Sequence, residues 1–142
     1  MRVISWNLNN RSSTAILSRQ CDYLLEGNFD IITLQEISIR SEGFIKRTLV
    51  DKGGYFVVSS FDLADDHSVL KGRRKFGEII ASRFRFSTND PGQVCIPFPE
   101  RVLSVTLTEG YPGLDIHTTH VPPGSTNGVI KVEHLEGLYR FL

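Results

Sequence analysis

The sequence predicts an α+β fold in which helices flank one mixed sheet. Short runs of β-branched and aromatic residues alternate with segments whose apolar residues recur at helical spacing. Clusters of Gly, Pro, Asn and Asp separate these segments, as is typical of turns. The chain has neither the continuous helical pattern of a bundle nor the evenly spaced strands of a barrel, so both of those classes are disfavoured.

The first 37 residues predict a strand, a helix and a second strand. Residues 3–8 and 30–37 are rich in strand-forming residues, and Leu17, Cys21 and Leu24 between them are spaced as on one face of a helix. A right-handed crossover places two such strands parallel and side by side. We therefore expect Asn7 and Glu36, each near the end of its strand, at the same edge of the sheet.

The rest of the chain predicts further strands and two more helices. A second helix is expected to begin near Ser41 and end at Gly53, and an amphipathic helix carrying Val132, Leu135, Leu138 and Leu142 closes the chain. Further strands are predicted over 55–61, 77–84, 101–108 and 114–121. Residues 62–75 are expected to form a polar loop and residues 84–98 a loop-rich segment. Gly27 is expected in the left-handed conformation after the first helix.

Composition limits the classes of function. With 142 residues, the chain is expected to form a single domain, 1–142. Sixteen basic and sixteen acidic residues give a net charge of zero, without the basic bias of a freestanding nucleic-acid binder. No apolar run reaches the roughly 18 residues of a membrane span, and no signal peptide is evident, so a cytoplasmic location is expected. Cys21 and Cys95 are expected to be buried, reduced thiols.

Four segments carry a resemblance to a known family. They are Ser5-Trp6-Asn7-Leu8-Asn9, Leu34-Gln35-Glu36, Gly77-Glu78-Ile79-Ile80-Ala81-Ser82-Arg83 and Thr119-His120-Val121-Pro122-Pro123-Gly124. In this order they resemble the endonuclease/exonuclease/phosphatase superfamily, which has the deoxyribonuclease I-like fold. The resemblance implies a four-layer α/β/β/α sandwich, of which this chain covers about the first half. Each motif alone is weak, and their common order and strand context give the resemblance its force.

The resemblance implies a metal-dependent phosphate-ester hydrolase. The glutamate matching Glu36 is the metal-binding carboxylate of the family, so Mg²⁺ is the expected cofactor, with Mn²⁺ as a substitute. Mg²⁺ keeps several waters and needs only one or two protein carboxylates. Asn7 matches an asparagine that bonds metal-bound water or phosphate. Arg101 and His120 match residues that contact the phosphate, although a strand-end histidine bonded only to backbone is the alternative for His120.

Four other residues are weaker candidates for the site. Asn9 matches a variable polar position, and a helix-capping role is equally consistent with its place. Glu78 matches a second acidic residue of some nucleases, or is a plain strand residue. Asn127 and Lys131 are candidates to reach the pocket, although Asn127 is first expected to cap the last helix.

The resemblance also predicts what this chain lacks. The family's Gly-Asp-x-Asn motif and its closing Asp-His pair do not appear after His120. The run Asp65-Asp66-His67 is interpreted as a solvated loop, because it precedes two of the site strands. A C-terminal truncation is therefore expected, together with a nearly inactive monomer. An uncovered apolar sheet face is expected as well, which a second copy or a partner chain would cover.

Two hypotheses of function follow. The first is hydrolysis of a phosphodiester or phosphomonoester by metal-activated water, with nucleic acid among the candidate substrates. The second is a non-catalytic half-domain that acts as an interaction or regulatory module. The basic cluster from Lys71 to Lys75 is a solvated loop or a phosphate-backbone contact. The sequence does not select among DNA, RNA, lipid and small phosphate esters as the substrate.

Overall fold

A computed structural model describes residues 1–64, 70, 75–90, 95–125 and 128–142. The strands of this part are β1 (Val3–Asn7), β2 (Ile31–Ser38), β3 (Phe56–Ser59), β4 (Phe76–Ser82), β5 (Phe86–Asn89), β6 (Val102–Leu107) and β7 (Asp115–Thr119). Its α-helices are α1 (Thr14–Glu26), α2 (Ile39–Asp51) and α3 (Gly128–Phe141). A short 3₁₀ turn, Pro99–Arg101, precedes β6.

The predicted strand–helix–strand unit at the start of the chain is confirmed. β1 pairs in parallel with β2, and Asn7 is the register partner of Gln35. Trp6 turns toward α1, where its ring meets Tyr23 edge to face at 5.5 Å between centroids. The left-handed conformation after α1 falls on Asn28 (φ +47°), whereas Gly27 is right-handed, so the prediction for Gly27 is wrong by one residue. Asparagine tolerates this conformation because its side chain is short and polar.

The second helix begins two residues earlier than expected. Ser38 is its N-cap: its hydroxyl accepts the backbone N–H of Ser41, and the Ser41 hydroxyl accepts the backbone N–H of Ser38. This reciprocal cap makes Ile39 the first helical residue. The cap therefore starts α2 directly after the strand that carries Glu36, and it ties the helix to that strand end.

One sheet has four strands in the order β1-β2-β4-β3, with β4 antiparallel to both neighbours. Helices α1 and α2 cover one of its faces. The buried residues of this face and its helices form one cluster: Leu8, Leu17, Cys21, Leu24, Ile32, Leu34, Ile37, Ile45, Leu49, Tyr55, Phe61, Leu70, Ile79 and Ala81. The mixed sheet and its flanking helices agree with the predicted α+β class.

The remaining strands form a second sheet, a division that the sequence did not predict. Its order is β5-β6-β7, all antiparallel, and β5 lies within the segment expected to be loop-rich. Leu103 and Val105 of β6 pack against Val58 and Ile80 of the first sheet. The sheet face expected to be uncovered is therefore covered by the second sheet, because β6 supplies matching apolar residues.

The closing helix buries a different face from the one expected, and of the four predicted residues only Leu138 is half-buried. Val132, Leu135 and Leu142 are 55%, 45% and 74% exposed, whereas His134 and Gly137 are buried. A Cβ added at Gly137 would lie 2.8 Å from the Ile96 side chain and 2.9 Å from the Cys95 carbonyl oxygen. The helix therefore approaches the 95–98 segment through its smallest residue.

Two further expectations concern cysteines and membranes. Cys21 is buried as predicted, but Cys95 is exposed, so the prediction of two buried thiols is wrong for the second. The Cys95 backbone, through its carbonyl oxygen, is the part of this residue that closely approaches α3. In the described residues, no helix has the length and apolar character needed to cross a membrane.

Candidate active site

Three of the four principal sequence candidates, Asn7, Glu36 and His120, meet at one edge of the structure. The Asn7 side-chain amide donates to Glu36 Oε1 at 3.0 Å, and His120 Nδ1 lies 3.3 Å from the same oxygen. The parallel pairing of β1 and β2 brings the first two together, and β7 of the second sheet delivers the third. The predicted convergence of an amide, a carboxylate and an imidazole is therefore present.

Glu36 has an unusual backbone conformation. Its φ is +55°, in the left-handed region, and the pairing of β2 with β4 shifts register between Leu34 and Ile37. Such a bulge re-aims a side chain and is common beside functional sites. A left-handed non-glycine residue costs on the order of 1–2 kcal/mol. The carbonyl oxygen of Glu36 accepts the Asn10 backbone N–H at 3.1 Å, which holds the loop between β1 and α1 against the bulge.

His120 follows the end of β7 and is only about one-fifth exposed. Its backbone N–H donates to the Arg101 carbonyl oxygen at 3.1 Å. The pKa of His120 is lowered from its ordinary value, first by burial and further by Arg101, while Glu36 acts in the opposite direction. The downward shift favours the neutral imidazole, and Nδ1 of this ring faces the Glu36 carboxylate.

Arg101 lies behind the site, not on its open surface. The residue is buried, and its guanidinium stacks over Phe98 at 4.6 Å and Phe76 at 5.8 Å from the ring centroids. Burial lowers its pKa, while Glu100, Glu78 and Glu36 act against this. An arginine remains charged under such a shift. Arg101 therefore supplies positive potential beneath Glu36 and His120, and the structure does not bring it into the open cleft.

Glu78 is fully buried at the centre of the interface between the two sheets. Its Oε2 accepts the Thr118 hydroxyl at 3.1 Å, and its backbone N–H donates to Ser60 Oγ at 2.9 Å. Burial raises the pKa of this carboxyl well above its usual range, although the Thr118 hydrogen bond and Arg101 act against the rise. Glu78 is buried and does not line the cleft, so its place does not match that of a second acidic residue facing the substrate.

An open cleft of about 650 Å³ is lined by two of the three convergent residues, Asn7 and His120. It runs between β1 of the first sheet and β7 of the second. Its lining comprises Val3, Ser5, Asn7, Thr33, Gln35, Asp115, Ile116, His117, Thr118, Thr119, His120 and Val121. Much of this lining carries hydroxyl, amide or imidazole groups, so the cleft suits a polar occupant better than an apolar one.

Two of the weaker candidates, Asn9 and Lys131, can be placed relative to Asn7 and the loop after His120. The Asn9 backbone N–H donates to Asn7 Oδ1 at 2.7 Å and orients that amide, and Asn9 does not cap α1, whose N-cap is Ser13. A Cβ added at Gly124 would lie 3.7 Å from Lys131 Nζ, so this ammonium lies beside the loop after His120. Asn127, the Asp65–His67 run and residues 71–74 of the basic cluster lie outside the described residues.

Sequence reasoning missed Gln35 as part of the site. Its side-chain amide nitrogen lies 2.8 Å from Thr118 Oγ1, 3.1 Å from Ser5 Oγ and 3.3 Å from Thr33 Oγ1. The alternation of polar residues along β1 and β2, with Ser5, Asn7, Thr33 and Gln35 on one face, was the available signal. The sheet face that carries these residues was expected to be apolar, so the polar alternation was not recognised.

The residues present suit a hard divalent cation with few protein ligands. The two contacts to the Glu36 carboxylate both involve Oε1, and within the described part of the chain no hydrogen bond reaches Oε2. Among the same residues, no group of three or more His, Cys, Asp or Glu is placed to hold a metal. Zinc sites need about four such ligands, whereas Mg²⁺ is held by one or two carboxylates and water.

Comparisons with known proteins found similarity in structure only. No protein-family model matches the sequence, and no curated protein matches it. The chain is similar to an AP endonuclease from Archaeoglobus fulgidus, at 25% identity and a TM-score of 0.72, over 100% of this chain and 51% of the other. A 3′ phosphatase, NExo, from Neisseria aligns at 20% identity and a TM-score of 0.63, covering 99% and 51% of the two chains.

An endonuclease/exonuclease/phosphatase from Beutenbergia cavernae aligns at 16% identity and a TM-score of 0.64, covering 99% of this chain and 43% of the other. The chain thus spans about half the length of the structures it matches. Those matches extend over essentially the whole chain. The chain therefore has the fold of about half of a deoxyribonuclease I-like domain of the endonuclease/exonuclease/phosphatase type.

Proposed function

We propose that this chain supplies the metal-binding half of a phosphate-ester hydrolase, and that the bond it helps to cleave is a phosphodiester or phosphomonoester. The observation that carries the proposal is the meeting of Asn7, Glu36 and His120 around one carboxylate oxygen. The similar structures include an AP endonuclease and a 3′ phosphatase bound to a product DNA hairpin. An endonuclease and a 3′ phosphatase both cleave phosphate esters, which supports the same class of reaction for this chain.

In this proposal Glu36 holds Mg²⁺, or Mn²⁺ in its place. Such an ion would lower the pKa of a coordinated water and neutralise charge on the phosphoryl group. The Glu36 carboxylate would hold it, and the Asn7 amide and the His120 ring, which both lie against Oε1, would orient that carboxylate. Such outer contacts fix ligand geometry and affinity.

His120 serves as a neutral hydrogen-bonding group. With Nδ1–H directed to Glu36, the ring's other nitrogen, Nε2, is an acceptor that can bond a water or a protonated phosphate oxygen. Arg101 beneath it contributes positive potential without touching substrate. The resemblance assigns deprotonation of the attacking water to an Asp-His pair that is not found after His120, so low activity of the chain alone is expected.

The proposal is tested by metal binding to the chain itself. Paramagnetic Mn²⁺ is titrated into the isotope-labelled protein, and broadening of the Asn7 side-chain amide and the His120 ring is followed by NMR. We expect both signals to broaden first. Glu36→Gln keeps the shape of the side chain and removes its charge, and it should weaken Mn²⁺ binding at least about 10-fold, the loss typical of disturbing even an outer contact.

Glu26→Gln is the matched control, because Glu26 is an exposed glutamate at the last position of α1, near the other end of the sheet. It should leave the Mn²⁺ titration unchanged. Equal binding by the wild type and the Glu36→Gln variant would refute the metal site. A polypeptide that contains this chain and cleaves an oligonucleotide with Mg²⁺ should lose that cleavage on Glu36→Ala.

A non-catalytic interaction module is the second candidate, and the exposed apolar residues of α3 favour it. Retention of Mn²⁺ binding at Glu36 separates the two candidates, since an interaction module has no need of a metal-binding carboxylate. Nucleic acid as substrate, a dimer or a partner chain, and a location in the cytoplasm stay predictions. The metal titration addresses none of these three.

A further inference from the structure

A chain of polar side chains crosses between the two sheets directly beneath the candidate site. It begins at Gln35 on β2, passes through the Thr118 hydroxyl on β7 and ends at the Glu78 carboxyl on β4. The two hydrogen bonds measure 2.8 and 3.1 Å. Gln35 immediately precedes Glu36, and Thr118 lies two residues before His120. The chain therefore joins the strand ends that carry the two site residues.

The hydrogen-bonded side chains occupy space that apolar side chains would fill at a lower cost in free energy. Thr118 and Glu78 are 5% and 0% exposed, and elsewhere between the sheets Val58, Ile80, Leu103 and Val105 form an ordinary apolar contact. Hydrogen bonds compensate for the burial of a polar group, and removing a partner is destabilising. A set of side chains that must satisfy one another permits one arrangement of the two strands.

The backbone contacts around the site act within single sheets. The His120 backbone N–H bonds the Arg101 carbonyl, which belongs to the same side of the sandwich. Asn7 and Glu36 are held together by the pairing of β1 with β2, again within one sheet. The Gln35–Thr118 bond, by contrast, joins the two sheets, and its members lie within two residues of Glu36 and His120.

We propose that Gln35, Thr118 and Glu78 are positioning residues for this site, and that their hydrogen-bonded chain sets the separation between the Glu36 carboxylate and the His120 ring. The inference rests on the proposed function, since it gives these three side chains a role in holding Glu36 and His120. Thr118 is its central member, because it accepts from Gln35 and donates to Glu78. None of the three contacts the substrate in this scheme.

The test removes the central hydroxyl without changing its shape. Thr118→Val keeps the β-branched form of the side chain and cannot bridge Gln35 and Glu78. The readout is the Mn²⁺-induced broadening of the His120 ring relative to that of the Asn7 amide in the same spectrum. We expect the His120 broadening to fall several-fold while that of Asn7 stays at its wild-type value, because Asn7 and Glu36 share one sheet.

Thr106→Val is the matched control. Thr106 lies on β6, and its hydroxyl bonds Asn89 and Asp115 within the second sheet. The same atoms are removed, but both of these bonds lie within one sheet, so the ratio of the two broadenings should not change. An unchanged ratio in Thr118→Val, or an equal fall in Thr106→Val, would overturn the positioning role.

Glu78 provides a second, independent pair of variants. Glu78→Gln retains an oxygen that accepts from Thr118 and should keep the wild-type ratio, whereas Glu78→Leu should lower it as Thr118→Val does. Equal behaviour of the two variants would contradict a role through hydrogen bonding. If wild-type protein shows no Mn²⁺ broadening at Asn7, the proposed function itself fails. If instead the wild type broadens normally and the Thr118→Val and Glu78→Leu variants keep its ratio, only the positioning role fails.

Discussion

The helices of this fold are held to it in two different ways. α1 and α2 bury Leu17, Leu24, Ile45 and Leu49 against the four-stranded sheet, as amphipathic helices ordinarily do. α3 instead buries His134 and Gly137, and its apolar residues are exposed or only half-buried. The first two helices are therefore held mainly by area removed from water. The third has a hydrogen bond, a close backbone approach and an edge-to-face contact of Phe141 with His117.

The difference separates stability from the orientation of the site. His134 Nε2 lies 3.2 Å from Thr119 Oγ1, so α3 is attached to the strand end that leads to His120. Because burial on α1 and α2 is extensive, substitutions there should change the free energy of unfolding of the whole chain. Substitutions on α3 should act locally, on the helix and the loop that connects it to β7.

The largest effect is expected from Leu24→Ala on α1. Leu24 is completely buried, and truncation of such a side chain costs about 2–5 kcal/mol through lost burial and the cavity that remains. Urea denaturation followed by circular dichroism measures the loss. A change below about 1 kcal/mol would mean that the α1 layer is not the stabilising core of the fold.

A smaller effect is expected from the titration of His134. Burial, with Arg101 and His120, lowers the pKa of His134 from 6.5 to about 4. A histidine that is neutral in the fold and protonated when unfolded contributes stability that is complete above pH 6.5 and is lost as the pH falls toward 4. The loss is on the order of 2 kcal/mol.

His134→Gln retains a side chain that can bond Thr119 and does not titrate. The difference in unfolding free energy between wild type and this variant should therefore shift across pH 6.5 to 4. A difference that stays constant over this interval would show that His134 is not held as a neutral interior ring.

Gly137→Ala should cost about 1 kcal/mol. The added methyl would stand 2.8 Å from the Ile96 side chain and 2.9 Å from the Cys95 carbonyl oxygen, and overpacking of this kind costs about 1–3 kcal/mol. The gain in helix propensity of alanine over glycine, up to about 1 kcal/mol, offsets part of that cost. Hydrogen exchange of the α3 amides should quicken more than that of α1. An equal change in exchange rate in both helices would show that α3 does not approach the 95–98 segment closely.

The smallest effect is expected from Leu135→Ala on α3, the same substitution as on α1. Leu135 is 45% exposed, and surface changes usually lie within about 0.5 kcal/mol. The same denaturation experiment applies. A loss comparable to that of Leu24→Ala would mean that a second copy or another chain covers the outer face of α3 in solution.

Sequence alone was sufficient for the unit that carries the first two site residues. The strand–helix–strand pattern and the handedness of its crossover are local and general, so the meeting of Asn7 and Glu36 followed from them. The place of His120 came only from the resemblance to a family, because its contact with Glu36 spans two sheets. The family fold was confirmed by structures whose sequences are 25% and 20% identical to that of this chain.

The features that sequence reasoning missed depend on contacts between distant segments. The burial of Glu78 and the bond from Gln35 to Thr118 arise only when the second sheet packs on the first. The spacing of apolar residues on α3 predicted which residues share a face but not which face meets the fold, since His134 and Gly137 decided it. The strand β5 was missed because its residues, Phe86–Asn89, alternate too briefly to stand out from a loop.

At Glu36 the left-handed backbone sets the function of the carboxylate against the stability of the fold. Glycine or asparagine would adopt that conformation at lower energy than glutamate does. A lineage in which the carboxylate had lost its use would gain stability by replacing it. Persistence of an acidic residue at this position among descendants would therefore indicate continued selection for what the carboxylate binds.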